Sequence, residues 1–295
     1  MPVANAVTTK KVLSVIHASP VHWVGDGFPV STVISPQTAG TGLSPFLMMD
    51  YAGPAEFKPA REPRGVDSHP HKGFETVTVV FQGELEHRDS ARNKGSIGPG
   101  DVQWMTAGSG ILHEEKHSAR FTREGGVMEM AQLWVNLPAK DKKQPPKYQE
   151  LTREKIPTVT LPGGAGTVRV IAGDFNGTRA AATTFTPVVL WDVKLRAGSE
   201  AAFPVPAGQS AAVFVRSGSV SVDGANSVGR RQLIVFETEG DGFALHAVED
   251  AEVLIVGGEP INEPVVSYGP FVMNTQREIQ EAIADFRAGK MGYLD

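Results

Sequence analysis

Short apolar runs, each only a few residues long, dominate the sequence. Runs rich in Val, Ile and Thr that are bounded by Gly, Pro or Asp are typical of β-strands. The pattern therefore predicts an all-β chain. The predicted strands are Lys11–Ile16, Phe46–Met49, Thr76–Phe81, Asp101–Met105, Leu133–Leu137, Val168–Ile171, Val188–Leu195, Ala211–Val215, Ser219–Val222, Leu233–Phe236 and Val253–Val256.

One segment near the C-terminus has helical spacing instead. Thr275 is placed to cap a helix, and Glu278 completes a capping box with it. Gly289 is the expected end of the helix. The apolar residues that share one helical face are Ile279, Ala282, Ile283 and Phe286. We therefore expect a short helix with one buried face.

A weak internal repeat relates the two halves of the chain. Residues 69–83 align with residues 204–218 without a gap. In each copy an apolar strand lies between two glycines that coincide in the alignment. The glycines that coincide are Gly73 with Gly208 and Gly83 with Gly218. The repeat indicates two copies of one β-domain, each about the size of a small barrel.

Composition narrows the classes of function. The net charge is −5 and the basic residues are interspersed with acidic ones, which excludes the basic surface expected of a direct nucleic-acid binder. The densest basic stretch, residues 140–147, lies beside two prolines, and we interpret it as a solvated linker between the halves. The absence of cysteine excludes disulfides and thiolate metal ligands.

The N-terminal residues lack the apolar segment of a signal peptide, and no apolar run is long enough to cross a membrane as a helix. We therefore expect a soluble, cytoplasmic protein without a membrane partner.

Two pairs of metal-ligand residue types have strand spacing. Residues i and i+2 of a strand point to the same face, so His69 pairs with His71 and His113 pairs with Glu115. Two adjacent strands could aim these four side chains at one point inside a barrel. Imidazole and carboxylate ligands suit Fe(II), Mn, Ni, Cu or Zn.

Other residues compete for the same roles. Glu75 would share the inward face of His71 if the strand were regular, although Gly73 could introduce a bulge. His117 has the parity of His113, whereas His87 lies among charged residues and is expected to be exposed. Residues 113–117 also match the zinc-peptidase motif HExxH, which requires a helix that the surrounding sequence does not predict.

Long motifs resemble the pirin family of the cupin superfamily. They are residues 69–77 (HPHKGFETV), 99–115 (PGDVQWMTAGSGILHEE), 132–138 (QLWVNLP), 258–266 (GEPINEPVV) and 269–275 (GPFVMNT). The resemblance spans nearly the whole chain. It implies a bicupin of two tandem antiparallel β-barrels, which we expect at residues 1–140, with the metal, and at residues 150–295, with a tail helix and no metal.

The resemblance also implies the metal and its ligands. One mononuclear iron would be held by His69, His71, His113 and Glu115, and Glu75 would then orient a ligand from behind. In the second copy the gapless alignment places Pro204 and Pro206 at the positions of His69 and His71, which agrees with a metal-free barrel.

Two functions are implied by the resemblance. The first is a quercetin 2,3-dioxygenase, which uses O₂ to open the heterocyclic ring of a flavonol with release of CO, and in which Glu115 would take the substrate proton. The apolar walls expected for such an aromatic substrate are Phe74, Trp104, Met105 and Trp134. The alternative is a non-catalytic protein that senses iron or redox state and binds a protein partner.

Overall fold

The strands of the computed structural model, which describes residues 9–35 and 42–294, agree closely with the apolar runs. Each predicted strand overlaps an observed one, and Val188–Leu195 has the predicted bounds. In chain order the strands are β1 (Val12–His17), β2 (His22–Val24), β3 (Phe28–Ile34), β4 (Phe46–Phe57), β5 (Gly65–His71), β6 (Phe74–Gln82), β7 (Leu85–Asp89), β8 (Lys94–Ile97), β9 (Val102–Thr106), β10 (Ile111–His117), β11 (Gly126–Asn136), β12 (Lys147–Leu151), β13 (Thr158–Thr160), β14 (Gly166–Ala172), β15 (Val188–Leu195), β16 (Glu200–Pro204), β17 (Ser210–Ser217), β18 (Ser219–Ser221), β19 (Val228–Gly229), β20 (Gln232–Phe236), β21 (Gly242–Ala247), β22 (Ala251–Gly258), β23 (Val266–Tyr268) and β24 (Phe271–Met273).

In the part of the chain that the structure describes, two α-helices accompany the strands. The helix α1 (Ala119–Glu124) is short and was not predicted; Ser118 caps it by accepting a hydrogen bond from the Phe121 amide. The predicted C-terminal helix is confirmed as α2 (Gln276–Arg287), with Thr275 at its N-cap. Ile279 and Ala282 are buried in it as expected, whereas the ring of Phe286 at its end is 41% exposed. Among the described residues no helix is long and apolar enough to cross a membrane.

The chain forms two compact units. The histidine unit, which holds His69, His71 and His113, comprises Ser19–Ile34, Phe46–Lys155 and Ile261–Asp295. The aromatic unit, named for the rings in its core, comprises Met1–Ala18, Ser35–Pro45 and Ile156–Pro260. The predicted domain bounds, 1–140 and 150–295, concern the extent of the two cupin repeats and stay a prediction. The expectation of no signal peptide concerns residues that lie largely outside the described part of the chain.

Both units have the same sheet topology. In the histidine unit the strand orders are β12-β9-β6-β11-β4-β3-β2 and β5-β10-β7-β8. In the aromatic unit they are β1-β20-β17-β22-β15-β14-β13 and β16-β21-β18-β19, which match strand for strand. This correspondence confirms the predicted repeat and the cupin-type fold. The sheets are open, however, so the closed barrels that the sequence suggested are pairs of sheets instead.

The repeat is one residue out of register before the first shared glycine. Gly73 and Gly208 both have positive φ, at 90° and 84°, as the alignment requires. In β16, however, Phe203 joins the core, and Val205 follows it there, whereas Pro204 is exposed. The prolines therefore do not occupy the inward positions of His69 and His71. The inward positions of β16 and the turn after it hold the apolar side chains of Phe203 and Val205. The alternation of inward and outward residues before the glycine is therefore shifted by one residue relative to β5.

Aromatic rings fill the core of the aromatic unit. Phe203 and Phe243 lie on paired residues of β16 and β21 and stack with ring centroids 5.7 Å apart. Phe236 stacks on Phe243 from the other sheet at 4.2 Å. The corresponding strands of the histidine unit, β5 and β10, carry imidazoles there instead.

A buried lysine holds the turn before the second long strand of the repeat in each unit. The Lys142 ammonium donates to the carbonyl of Gly73, the side-chain oxygen of Asn136 and the carbonyl of Val272. In the aromatic unit, Lys10 donates to the carbonyls of Gln209 and Thr238. The solvated linker predicted for residues 140–147 is therefore wrong at Lys142, which is 1% exposed because these acceptors replace water.

Replacing Lys142 by methionine would keep most of its volume and leave these buried acceptors without a donor. We expect the free energy of unfolding of the histidine unit to fall by about 3 kcal/mol, since each unsatisfied buried acceptor costs about 1–3 kcal/mol. Urea denaturation measures this value. Lys143→Met, at an exposed neighbouring position, is the control; equal stability of the two variants would contradict the bonding role of Lys142.

Candidate metal centre

The antiparallel pairing of β5 with β10 brings three histidines together. His113 lies directly opposite His69 in the register, and their ring centroids are 4.3 Å apart. The ring of His71 is 4.8 Å from that of His69 and 4.9 Å from that of His113. One nitrogen from each ring lies within 4.8 Å of the others. The three predicted histidines therefore form a single site, with His69 at its more exposed side.

The electrostatic state of these rings suits a metal ion. Both ring nitrogens of His113 are buried and have no hydrogen-bond partner among the described residues. Burial, together with the adjacent His69, lowers the pKa of His71 to about 3. Burial and the neighbouring imidazoles hold the pKa of His113 well below its ordinary value. Neutral imidazoles with free lone pairs are the form that binds a metal, so the residues present fit one.

Backbone carbonyls orient two of the rings. His69 Nδ1 lies 2.8 Å from the carbonyl oxygen of Asp67, and His71 Nδ1 lies 3.4 Å from that of Pro270. When each Nδ1 carries the proton and donates it, Nε2 is left as the ligand atom. Such contacts behind a ligand fix its tautomer and orientation.

Glu115 lies beside the histidines but outside the group of three. It has the inward parity of His113 on β10, and the carboxylate is 5% exposed. Its two oxygens accept hydrogen bonds from Thr78 Oγ1 at 3.0 Å and Gln132 Nε2 at 2.6 Å. Glu115 as a fourth ligand therefore stays a prediction. The sequence analysis missed Thr78 and Gln132, although Thr78 has the inward parity of Phe74 on β6.

Glu75 lies on the opposite face of β6. Thr78 reaches Glu115 inside the unit, so Glu75, three residues earlier, points to the other side of the sheet. There its carboxyl accepts a hydrogen bond from Thr106 Oγ1 at 2.7 Å. Gly73, at a φ of 90°, separates β5 from β6 and breaks the regular alternation that would have aligned Glu75 with His71. Burial raises the pKa of Glu75 to about 7.

His87 is buried, contrary to the expectation of exposure. It lies opposite Glu115 in the β7–β10 pairing and faces the interior, with its ring stacked on Tyr148 at 5.0 Å. Its Nε2 lies 3.2 Å from Asp89 Oδ2, and its Nδ1 accepts from Gln103 Nε2 at 3.0 Å. Because these partners occupy both ring nitrogens, His87 is not available as a ligand in this arrangement. The charged neighbours Glu86 and Arg88 occupy the alternate, outward positions, whereas Asp89 faces inward with His87.

His117 is also engaged elsewhere. Its Nε2 is 3.0 Å from the carbonyl oxygen of Gly27, and its ring packs edge-on against Phe57 and Phe121. Because residues 111–117 form a strand, His113 and His117 do not share the helical face that the HExxH arrangement of zinc peptidases needs.

Aromatic side chains line one side of the site and form its aromatic wall. Trp134 lies 5.3 Å from the ring of His71, and Phe74 packs on Trp134 at 4.4 Å. Met105 is buried on the inward face of β9 with Gln103. Trp104, which was expected in the wall, alternates with them and points to the other face of the sheet.

Comparison with known proteins agrees with these motifs. The family model described as Pirin matches residues 27–135, and the model described as Pirin C-terminal cupin domain matches residues 190–292. A Pseudomonas aeruginosa protein provisionally named quercetin 2,3-dioxygenase is 51% identical over 95% of this chain and 98% of its own length. Human pirin is 39% identical over 85% of this chain and 84% of its own.

A solved structure shares the fold closely. The crystal structure of a quercetin 2,3-dioxygenase from Acinetobacter baumannii superposes with a TM-score of 0.94 and 48% sequence identity. The match covers 97% of this chain and all of that one.

The raised pKa of Glu75 predicts a pH-dependent stability. In the unfolded chain this carboxyl loses its proton near pH 4.5, whereas the folded state keeps it to about pH 7. Between these values the folded state binds more protons, so a rise in pH destabilises it. Relative to Glu75→Gln, we expect the wild type to lose up to about 3 kcal/mol of unfolding free energy over this range.

Urea denaturation of both proteins at several pH values measures the difference. Glu62→Gln, which changes an exposed carboxyl, is the control. Curves for wild type and Glu75→Gln that stay parallel from pH 4.5 to pH 7 would show that Glu75 is not held protonated.

Proposed function

The chain belongs to the pirin family of bicupin proteins, and from that premise and the geometry of the site we propose that it is a metal-dependent dioxygenase. The proposed reaction opens the heterocyclic ring of a flavonol such as quercetin with O₂ and releases CO. The observation that carries the proposal is the cluster of three imidazoles beside an aromatic wall. The names of the 51% identical Pseudomonas relative and the 48% identical Acinetobacter structure support the same activity.

The histidines and Glu115 have separate roles in this proposal. His69, His71 and His113 hold one metal, with Glu115 as the fourth ligand. Fe(II) is the metal we propose, although Mn, Ni, Cu or Zn would accept the same nitrogen and oxygen ligands. When bound, the metal supplies a Lewis acid and a template for a substrate oxygen and O₂.

Glu115 is the residue placed to take the substrate proton. Its carboxylate is buried next to the three imidazoles, and its strand keeps it on the same inward face as His113. A flavonol hydroxyl bound at the three histidines would lie on the inward face that Glu115 shares with His113. Glu115 would then hold the proton while the ring opens.

The aromatic side chains beside the histidines suit an aromatic substrate. Phe74 and Trp134 are tilted at 37° to each other and flank the ring of His71. Flat apolar surfaces next to a polar centre suit a planar ligand that carries a hydroxyl and a carbonyl at one edge. These two residues would orient the flavonol and exclude water from its ring.

Turnover tests the proposed function directly. The purified protein is loaded with Fe(II) without air, and quercetin and O₂ are then supplied. We expect CO release and O₂ uptake in equal amounts, both abolished in Glu115→Ala. Absence of both with Fe, Mn, Ni, Cu and Zn would overturn the proposed dioxygenase activity. Metal binding without turnover would favour the alternative role as a metal-sensing partner of another protein.

Metal content tests the site independently of turnover. His113→Ala removes the central imidazole, and we expect bound metal measured by mass spectrometry to fall at least about tenfold. His246→Ala, an exposed histidine of the aromatic unit, should keep the wild-type content. Full metal content in His113→Ala would contradict the assignment of the site.

A further inference from the structure

The carboxylate of Glu115 is held from two strands that carry no metal ligand. Thr78 comes from β6 and Gln132 from β11, and these strands pair with each other in the seven-stranded sheet. The register places Thr78 directly opposite Gln132. The two donors therefore form one fixed pair on the sheet, across the interior from β10.

The fixed pair holds Glu115 at a point where the neighbouring strand β5 is irregular. The pairing of β5 with β10 shifts register between His113 and Glu115, and the extra residue lies in β5, because β10 pairs with β7 without a shift. The Glu115 carboxylate is held from the opposite sheet by the two donors, one on each oxygen. A carboxylate offers about four lone-pair sites, so two hydrogen bonds leave capacity for a metal.

We propose that Thr78 and Gln132 are positioning residues of the metal centre, which determine where Glu115 presents its carboxylate to the metal. The inference rests on the proposed function insofar as Glu115 is a ligand there. Partners that hold a ligating carboxylate from behind set its direction, and losing one costs about 10–100-fold in metal affinity or activity. Neither residue touches the metal or substrate in this role.

The chain supplies matched controls for both residues. Thr106 donates to the buried carboxyl of Glu75 on the opposite face of the same sheet. Gln82 donates to Glu129 Oε2 at 2.8 Å, away from the histidines. Each control makes the same chemical bond as its counterpart but has no connection to Glu115, so a general effect of losing a threonine or glutamine bond is measured separately.

Cobalt binding provides a readout that does not require catalysis. Co(II) is titrated into metal-free protein by calorimetry, and its visible absorption reports the number of ligands. We expect Thr78→Val and Gln132→Leu each to weaken binding about tenfold and to shift the spectrum toward that of Glu115→Ala. Thr78→Ser should restore both. Thr106→Val and Gln82→Leu should stay within about twofold of the wild type.

A double-variant cycle shows whether the effect passes through Glu115. If it does, Gln132→Leu will weaken cobalt binding in the wild type and have no further effect in Glu115→Ala. Wild-type affinity and spectrum in Thr78→Val and Gln132→Leu would overturn the proposal. So would wild-type affinity in Glu115→Ala, or an equal loss from Gln132→Leu in both backgrounds.

These outcomes are separate from those of the turnover assay. Cobalt titration can confirm the positioning role in a protein that releases no CO. In that case only the proposed dioxygenase activity is rejected. Conversely, CO release together with unchanged cobalt binding in the variants would leave the enzyme standing and remove the positioning role. Thermal unfolding of each variant, with Tm within a few degrees of the wild type, shows that the binding data refer to folded protein.

Discussion

The antiparallel register of β5 against β10 is the constraint on which the site depends. It sets His113 opposite His69 and places His71 two residues along the same strand, so three imidazoles meet, two of them buried. Buried polar groups without partners are costly, and neutral imidazoles with unpaired nitrogens can be satisfied by a cation. The stability of this strand pair and the affinity of the site are therefore coupled: whatever shifts β5 relative to β10 also separates the ligands.

The rest of the histidine unit holds that register at the C-terminal end of β5. The turn at Gly73 is tied by Lys142 to Asn136 and to the C-terminal segment. The same segment reaches Lys72, between the histidines and the turn, through the ion pair with Asp285. Residues 213 positions apart in sequence thus stabilise one short strand. Hydrogen bonds to the backbone of the turn and this ion pair together hold the end of the strand that carries His71.

Much of this organisation could be predicted from the sequence, for reasons of periodicity. The alternation of inward and outward residues along a strand predicted that His69, His71 and His113 face inward. The capping residues predicted α2. The rest depended on contacts that local sequence does not encode. His87 has charged neighbours but faces inward, where Gln103 from β9 and Asp89, two residues along its own strand, bond its ring. Lys142 seemed solvated because its acceptors lie far away in sequence. The one-residue slip at Pro204 followed from a turn whose phase only the structure reveals.

The buried lysines have a consequence for how the two units diverged. Lys10 and Lys142 fasten the same turn in both halves, yet only one half carries the imidazoles. The scaffold that shapes the pocket is thus independent of the groups that fill it. The two units share one backbone arrangement and differ in the side chains at a few inward positions, such as His69 in one and Phe203 in the other. The aromatic unit therefore has a backbone in which substitutions at the inward positions could create a new site without a change of fold.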